Sequence, residues 1–180
     1  MDYTFIKSLG RKDIDLVLEM LESCLPFQYA ERDTLEKLTS YCDKGFFIAG
    51  IFDGEDLAGY AVSSILVGES VKNTFNAYNV QTDREIWAPA GILNNCIIKD
   101  EYRGRGFQRE LLKVREVVAQ NNNVEEIYTS VHIKNINSIE NLMRAGYKPL
   151  GQHIKSDEWI FFGKLLKDPV YFSHPSRIVL

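Results

Sequence analysis

Two glycines, Gly104 and Gly106, constrain this 180-residue chain more than any other feature of its sequence. They lie between an apolar segment that is typical of a strand and a segment, starting at Gln108, whose apolar residues recur at helical spacing. The start of a helix leaves several backbone N–H groups without intrahelical partners, and the helix dipole adds positive partial charge there. Glycine lets the backbone approach a ligand closely. The segment therefore predicts a phosphate-binding turn, with a plain basic turn before a surface helix as the alternative.

Two common phosphate-binding fingerprints do not match this turn. A dinucleotide fingerprint needs a third glycine three residues after the second, and this chain has Arg109 there. A Walker loop needs Gly-Lys followed by serine or threonine, which the turn lacks. Neither a Rossmann-type dinucleotide site nor a nucleoside triphosphatase is therefore expected.

A second motif follows downstream, after one predicted helix and one predicted strand. The matched positions are Arg103 and Gly106 in the first motif, and Asn135, Ser138, Gly146 and Tyr147 in the second. In this order the two motifs resemble those of the GNAT (GCN5-related) N-acetyltransferase superfamily. The resemblance is close from Leu93 to Leu150 and elsewhere rests only on the order of strands and helices.

The resemblance implies an acyl-CoA N-acyltransferase fold of the α/β (α+β) class. Such a fold has a twisted, mixed and mostly antiparallel sheet of about seven strands, with helices on both faces. The strand after Trp87 and the strand before Asn135 are expected to run parallel and to splay apart, which makes a cofactor slot. We expect a single domain over residues 1–167 and a C-terminal tail over 168–180, which is a candidate docked extension or homodimer contact.

The same resemblance implies acetyl-CoA, or another acyl-CoA, as co-substrate. Backbone groups of Cys96 and Ile98 are expected to pair with the pantetheine arm as if it were an added strand. Asn135 and Ser138 are expected to contact the cofactor from the second motif. The pyrophosphate is expected to be held by the amides of Arg105, Gly106, Phe107 and Gln108, with those of Arg103 and Gly104 nearby. A local cationic patch is expected from Lys99, Arg103, Arg105 and Arg109.

Two positions depart from the family pattern. Gln108 replaces the last glycine of the first motif, but it lies in the first helical turn, where the backbone amide does the binding, so this change is expected to be tolerated. Leu142 stands where many members carry a tyrosine that protonates the departing thiolate. Because a thiol has a pKa near 8.5, its thiolate is a fair leaving group, and water can deliver the proton.

The predicted reaction is direct attack of a primary amine on the acyl-CoA thioester. A base or a water chain must first remove a proton from the amine. Glu85 is the leading candidate, with a solvated loop charge as the alternative, and His132 is the second, with a packed or hydrogen-bonded strand residue as the alternative. Cys96 is expected to be a small core residue, and a backbone N–H around residues 95–97 is the natural stabiliser of the oxyanion.

The acceptor is left open between an amine-bearing small molecule and a peptide. Tyr29, Tyr78 and Trp87 are candidate walls of an amine pocket, with core or loop anchors as the alternative. Two other classes of protein also stay open at this point. One is a non-catalytic acyl-CoA-binding sensor or scaffold module, and the other is a purely structural interaction domain.

Composition and charge set the remaining expectations. A formal net charge of -4 argues against a dedicated nucleic-acid binder. The three cysteines are scattered, which suits reduced thiols, and no metal site is expected. No stretch approaches the roughly 18 apolar residues of a membrane span, and no signal-peptide pattern follows Met1. We therefore expect a cytoplasmic protein that acts without nucleic acid or membrane.

Periodicity predicts most of the remaining elements. Two strands over residues 46–67 are expected to form a hairpin around Asp53-Gly54, and two more, 147–153 and 158–165, form a final pair. Helices are expected over Arg32 to Tyr41 and from Asn137 onward. Glu69 to Pro89 is expected to be a loop beside the substrate site, with an extra strand or a surface excursion as the alternative.

Overall fold

The computed structural model describes residues 4–24, 29, 31–80, 88–154, 156–166 and 177–179. Its strands are β1 (Thr4–Leu9), β2 (Phe47–Asp53), β3 (Asp56–Leu66), β4 (Ala90–Ile98), β5 (Glu126–His132), β6 (Lys148–His153), β7 (Ser156–Leu165) and β8 (Arg177–Val179). Its α-helices are α1 (Ile14–Ser23), α2 (Leu35–Asp43), α3 (Glu69–Ala77), α4 (Phe107–Asn121) and α5 (Ile136–Arg144).

The contacts divide the chain into two compact units. The first unit comprises Met1–Ser64, Asn94–Arg115 and Val170–Leu180. The second comprises Ile65–Leu93 and Glu116–Pro169. Strand β4 and helix α4 each contribute residues to both units.

The first unit holds strands in the order β4-β3-β2-β1-β8. Its β1–β2 and β2–β3 pairs are antiparallel, whereas β8 runs parallel to β1. Neighbouring strand residues point to opposite faces: Ile48 packs in one cluster with α1 and α2, and Ala49 packs in another with α4. The expectation of helices on both faces of a mixed sheet is therefore confirmed.

The predicted hairpin is formed by β2 and β3. These strands pair from Phe47 with Ser63 to Asp53 with Asp56. Gly54 lies in the turn with φ +62°, a left-handed conformation that favours glycine over other residues. The turn places Asp53 and Asp56 together at one end of the hairpin.

The second unit holds strands in the order β6-β7-β5-β4. Its β5–β7 and β6–β7 pairs are antiparallel, so the expected final strand pair is confirmed. The β4–β5 pair is parallel, as expected, and joins Ala90–Leu93 to Glu126–Thr129. At the last step of this ladder, the Thr129 hydroxyl donates to the Leu93 carbonyl at 3.1 Å.

Helix α3 corrects the prediction that Glu69 to Pro89 is a loop. Residues Glu69–Ala77 are helical, and Val71 and Phe75 are buried. The Phe75 ring meets Tyr128 and Phe161 edge-on, with centroid distances of 4.8 and 5.7 Å. The loop prediction was wrong because only two apolar residues, one turn apart, anchor this otherwise polar helix. Residues 81–87 lie outside the described part of the chain.

The predicted starts of α2 and α5 are also wrong. Helix α2 begins at Leu35 rather than Arg32, because the Thr34 side chain caps it by accepting from Lys37 N at 3.3 Å. Helix α5 begins at Ile136 rather than Asn137, and its cap is Asn135. Within the predicted tail, Arg177–Val179 form β8, which adds an eighth strand to the expected seven.

Candidate functional site

The turn between β4 and α4 has the glycine geometry that the sequence predicts. Gly104 has φ +78° and Gly106 has φ +84°, both in the left-handed region. A Cβ placed on Gly104 would meet nothing within 4 Å, whereas one on Gly106 would lie 3.2 Å from Arg109 Nη2. Helix α4 begins at Phe107, directly after the second glycine.

The backbone amides of the turn divide into two groups. Arg103 N donates to Asp100 O at 3.2 Å, and Arg109 N donates to Gly106 O at 2.9 Å, so these two amides are used inside the protein. Within the described ranges, no protein group accepts from the amides of four successive residues: Gly104, Arg105, Gly106 and Phe107. Successive N–H groups around left-handed residues form an anion-binding concavity, and the start of α4 adds its dipole.

Most of the cationic side chains around the turn are paired with aspartates. Lys99 Nζ lies 2.6 Å from Asp56 and Arg105 Nη1 lies 3.3 Å from Asp53, both on the β2–β3 hairpin. Arg103 Nη1 lies 2.6 Å from Asp100. Three of the four cations of the predicted patch are therefore paired with aspartates. The fourth, Arg109, has its guanidinium beside Gly106, so its charge adds to the positive potential of the backbone amides.

Tyr102 connects the hairpin to the turn. Its hydroxyl donates to Asp56 at 2.8 Å, which raises the pKa of Tyr102 to about 12. Burial acts to raise the pKa of Asp56, but the hydrogen bonds from Lys99 and Tyr102 outweigh it and lower that pKa. The Tyr102 ring stacks on Phe107 at 5.9 Å, and the Arg105 guanidinium lies 4.8 Å above it.

Strand β4 leads into the turn and carries the two residues expected to pair with a pantetheine arm. Lys99 N donates to Ala58 O on β3 at 2.9 Å. Because backbone groups alternate between the two edges of a strand, the amides of Cys96 and Ile98 are directed to the edge opposite β3. A Cβ on Gly59 of β3 would lie 2.6 Å from Ile97 O, so only glycine allows the two strands to approach this closely.

Cys96 is a packed thiol, as the sequence predicts. It lies against the apolar cluster that includes Phe107 and Leu111. Burial raises the pKa of the Cys96 thiol, and the charge of Arg115 only partly opposes this. The thiol is therefore neutral near pH 7, which disfavours a nucleophilic role.

A buried carboxylate, Asp33, lies beside β4, and the sequence analysis did not single it out. The Asp33 side chain is 0% exposed, and its Oδ2 accepts from Tyr60 Oη at 2.6 Å and from Asn95 Nδ2 at 3.1 Å. Its Oδ1 accepts from Tyr41 Oη at 3.3 Å and lies 3.1 Å from Lys37 Nζ. We call these five residues the Asp33 network; they join the segment before α2, helix α2, β3 and β4.

Burial and the charge of Asp33 together shift the pKa values of three members of the network, Tyr60, Tyr41 and Lys37. Burial raises the pKa of Tyr60, and the Asp33 charge raises it further. The pKa of Tyr41 is raised for the same two reasons. Burial acts to lower the pKa of Lys37, but the hydrogen bond and charge of Asp33 outweigh it and raise that pKa. Lys37 therefore stays charged and neutralises the buried carboxylate.

The comparison with known families decides what kind of protein this is. The model of the acetyltransferase (GNAT) family matches residues 14–147, which include the glycine turn, β4 and the second motif. The chain belongs to the GNAT family. A curated relative, the uncharacterised N-acetyltransferase YobR of Bacillus subtilis strain 168, is 27% identical over 63 residues. That match covers 35% of this chain and only 26% of the relative.

Solved structures share the GNAT fold over most of this chain. Arabidopsis thaliana NAA60, in complex with acetyl-CoA, superposes with a TM-score of 0.71 at 14% identity, covering 92% of this chain and 99% of that one. The ribosomal-protein-S18-alanine N-acetyltransferase of Escherichia coli superposes with a TM-score of 0.67 at 13% identity, covering 94% of this chain and 99% of that one. A GNAT acetyltransferase of Streptococcus pneumoniae superposes with a TM-score of 0.67 at 16% identity, covering 90% of this chain and 98% of that one.

The second GNAT motif lies at the start of α5, in the second unit. Asn135 Oδ1 accepts from Ser138 N at 3.3 Å, so the Asn135 side chain caps the helix. Leu142, at the position of the family tyrosine, is buried. No described residue of this helix therefore presents a phenol at that position.

Of the two candidate bases, only His132 lies in the described part of the chain. His132 Nδ1 accepts from Lys134 N at 3.1 Å, and the ring packs edge-on against Trp159 at 5.5 Å. In neutral imidazole the acceptor nitrogen is thus already occupied, which favours a structural role for His132. Glu85 lies outside the described residues, as does Trp87.

Of the candidate walls of an amine pocket, Tyr29 and Tyr78 belong to different units, and Trp87 lies outside the described residues. The Tyr78 ring stacks on Phe161 at 4.6 Å and meets His153 edge-on at 5.0 Å, so it is a core anchor of the second unit. Tyr29 is half-buried in the first unit. Separately, no helix in the described residues is long and apolar enough to cross a membrane.

Proposed function

We propose that this GNAT protein is an acetyl-CoA-dependent N-acetyltransferase that acetylates a primary amine by direct attack in a ternary complex. The observation that carries the proposal is the run of four amides, Gly104 to Phe107, that no described protein group accepts from. Their arrangement around two left-handed glycines at a helix start fits a diphosphate. Family membership supplies the second support.

The turn and β4 divide the work of binding. The amides of Arg105, Gly106, Phe107 and Gln108 would hold the pyrophosphate, with that of Gly104 nearby, whereas the Arg103 amide is already used by Asp100. Cys96 and Ile98 would pair with the pantetheine arm along the edge of β4 opposite β3. From the second motif, Asn135 and Ser138 remain proposed cofactor contacts.

Acetyl-CoA would supply an activated acyl thioester, and the rest of the chemistry is proton movement and charge stabilisation. The amine nitrogen bonds to the carbonyl carbon, the C–S bond breaks, and the sulfur leaves as thiolate. A backbone N–H of β4 near Cys96 would stabilise the negative charge on the carbonyl oxygen. Because Leu142 replaces the tyrosine, we propose that water protonates the thiolate, whose thiol has a pKa near 8.5.

The acceptor is proposed as a primary amine of a small molecule or a peptide. Peptide N-termini belong in the test because one structural neighbour is an S18-alanine N-acetyltransferase. Buried Leu142 favours one competing function, a non-catalytic acyl-CoA-binding module. Glu85 remains the proposed base from the sequence.

Calorimetry and a thiol-release assay separate these functions. Acetyl-CoA should bind far more tightly than S-acetylpantetheine, which lacks the diphosphate that the turn amides are proposed to hold. Thiol release should accelerate with one class in a panel of small primary amines, lysine peptides and peptides with free N-termini. Tight acetyl-CoA binding without accelerated release would support the non-catalytic module. Equal binding of both thioesters would overturn the proposed role of the turn.

A further inference from the structure

The Asp33 carboxylate is saturated by donors from four directions. Tyr60 and Asn95 donate to one oxygen, and Tyr41 and Lys37 contact the other. A fully buried carboxylate is stable only when its charge is paired and its lone pairs are used, and both conditions hold here. The network therefore fixes Asp33 rather than leaving it available to a ligand.

Asn95 is the one member of the Asp33 network that lies on β4, the strand proposed to pair with the pantetheine arm. Its Nδ2 donates to Asp33 at 3.1 Å and to the Glu31 carbonyl at 3.0 Å, and its Oδ1 accepts from Cys96 N at 3.1 Å. A flipped amide would place its oxygen against two acceptors. The Asn95 side chain therefore has only one satisfactory orientation, which Asp33 sets together with the Glu31 carbonyl.

That orientation bears on the proposed chemistry. The N–H of Cys96 is directed to the edge of β4 where the acyl group would lie, and Asn95 Oδ1 contacts the same N–H. A hydrogen-bond donor stabilises a developing oxyanion best when its direction is fixed before the reaction. An N–H can also be shared between two acceptors, so the Asn95 contact need not be lost when a ligand binds.

We infer that Asp33 is a positioning residue for acyl transfer, which acts through Asn95 to fix the direction of the Cys96 N–H. The inference rests on the proposed function, because it assumes that an acyl thioester lies along β4. Asp33 itself touches neither substrate nor reacting atoms. Its contribution is to the polarisation of the thioester carbonyl, not to the grip on the cofactor.

The infrared carbonyl band of bound acetyl-CoA, labelled with ¹³C at the acyl carbonyl, tests this without a known acceptor. Asn95→Ala and Tyr60→Phe should shift the band to higher wavenumber than in the wild-type complex, because the carbonyl is less polarised. Their Kd for acetyl-CoA should stay within about threefold of wild type, since a hydrogen-bond change this local leaves the turn intact.

Two variants of the same unit serve as matched controls. Asn94→Ala removes the neighbouring asparagine, which pairs with Ser64 at 3.1 Å and lies outside the network, so the band should not move. Tyr41→Phe removes the longer bond to the other Asp33 oxygen and should move the band less than Tyr60→Phe. With an amine that supports turnover, Tyr60→Phe should lower kcat about 10- to 100-fold, with little change in KM for acetyl-CoA.

The possible results separate the inference from the function beneath it. If the wild-type protein does not bind acetyl-CoA, the proposed function fails. If it binds, and Asn95→Ala and Tyr60→Phe leave the band in place, the function stands and the positioning role is wrong. A shift to lower wavenumber in Asn95→Ala would also overturn the role, because Asn95 would then compete with the thioester for the N–H. Circular dichroism establishes that each variant is folded.

Discussion

The Arg105 guanidinium lies 3.3 Å from the Asp53 carboxylate, so the arginine between Gly104 and Gly106 is held by the β2–β3 hairpin. Both side chains are partly exposed. An exposed pair of this kind is weak and can exchange partners when a phosphate arrives. Under the proposed function, Asp53 would therefore compete with the anionic cofactor for Arg105.

Replacing Asp53 with asparagine should tighten CoA binding. Asp53→Asn releases Arg105 and removes a negative charge near the turn, so Kd should fall about two- to fivefold at low salt. Calorimetry at low and high ionic strength measures the change, which should shrink as salt screens the charges. Asp43→Asn is the matched control, since it breaks the exposed Arg11–Asp43 pair with the same change in charge. Weaker binding in Asp53→Asn would show that Asp53 supports the turn instead.

Alanine at Gly104 should weaken CoA binding and lower stability. A left-handed conformation costs a non-glycine residue about 1–2 kcal/mol, and a turn that relaxes loses the alignment of its amides. Gly45→Ala is the control, because Gly45 has φ +69° and, like Gly104, has nothing within 4 Å of its Cβ position. Both variants should lose similar free energy of unfolding in urea, but only Gly104→Ala should bind CoA more weakly. Equal CoA affinity in the two variants would contradict the assignment of the turn.

Breaking the Glu116–Lys164 pair should lower the free energy of unfolding by different amounts, depending on which residue is replaced. Lys164 Nζ contacts both Glu116 oxygens at 2.9 and 2.8 Å, and the side chains are 3% exposed for Glu116 and 23% for Lys164. Lys164→Met leaves a buried carboxylate without its cation and should lower the free energy of unfolding by about 3 kcal/mol. Glu116→Gln should lower it less, because the lysine can still reach water. Urea denaturation of both variants gives the two values; a larger loss in Glu116→Gln would refute the asymmetry.

Asp13 should make stability depend on acid pH. Burial acts to raise its pKa, but the hydrogen bond from Gly10 N and the charge of Lys7 outweigh it, so the folded pKa lies below the ordinary 3.8. The stabilisation is thus fully present above the unfolded value and is lost as the pH falls through the folded one. Urea midpoints between pH 6 and pH 3 should fall less steeply in Asp13→Asn than in wild type. Parallel curves would exclude Asp13 as a source of the pH dependence.

The sequence predicted the glycine turn well because its chemistry is local. Two glycines separated by one residue, between a strand and a helix, determine the backbone geometry with little help from the rest of the chain. The parallel β4–β5 pair followed from the family resemblance in the same region.

The Asp33 network could not be predicted, because its partners are distant in sequence. Tyr60 and Asn95 lie 27 and 62 residues beyond Asp33. Before folding, Asp33 is one acidic residue in a polar segment, and its local sequence favoured a helix that in fact begins later. Helix α3 was missed for a related reason. Its buried Phe75 contacts Tyr128 and Phe161, which lie far along the chain.

The position of β4 depends on the absence of a Cβ atom at Gly59, on the neighbouring strand β3. A methyl group there would collide with Ile97 O and with the Ile98 side chain, neither of which lies in a loop that could give way. In a saturation library, we expect every replacement at Gly59 to be depleted, including alanine, although the residue holds no ligand and carries no charge. Mutational intolerance at this position would therefore report on strand spacing rather than on chemistry.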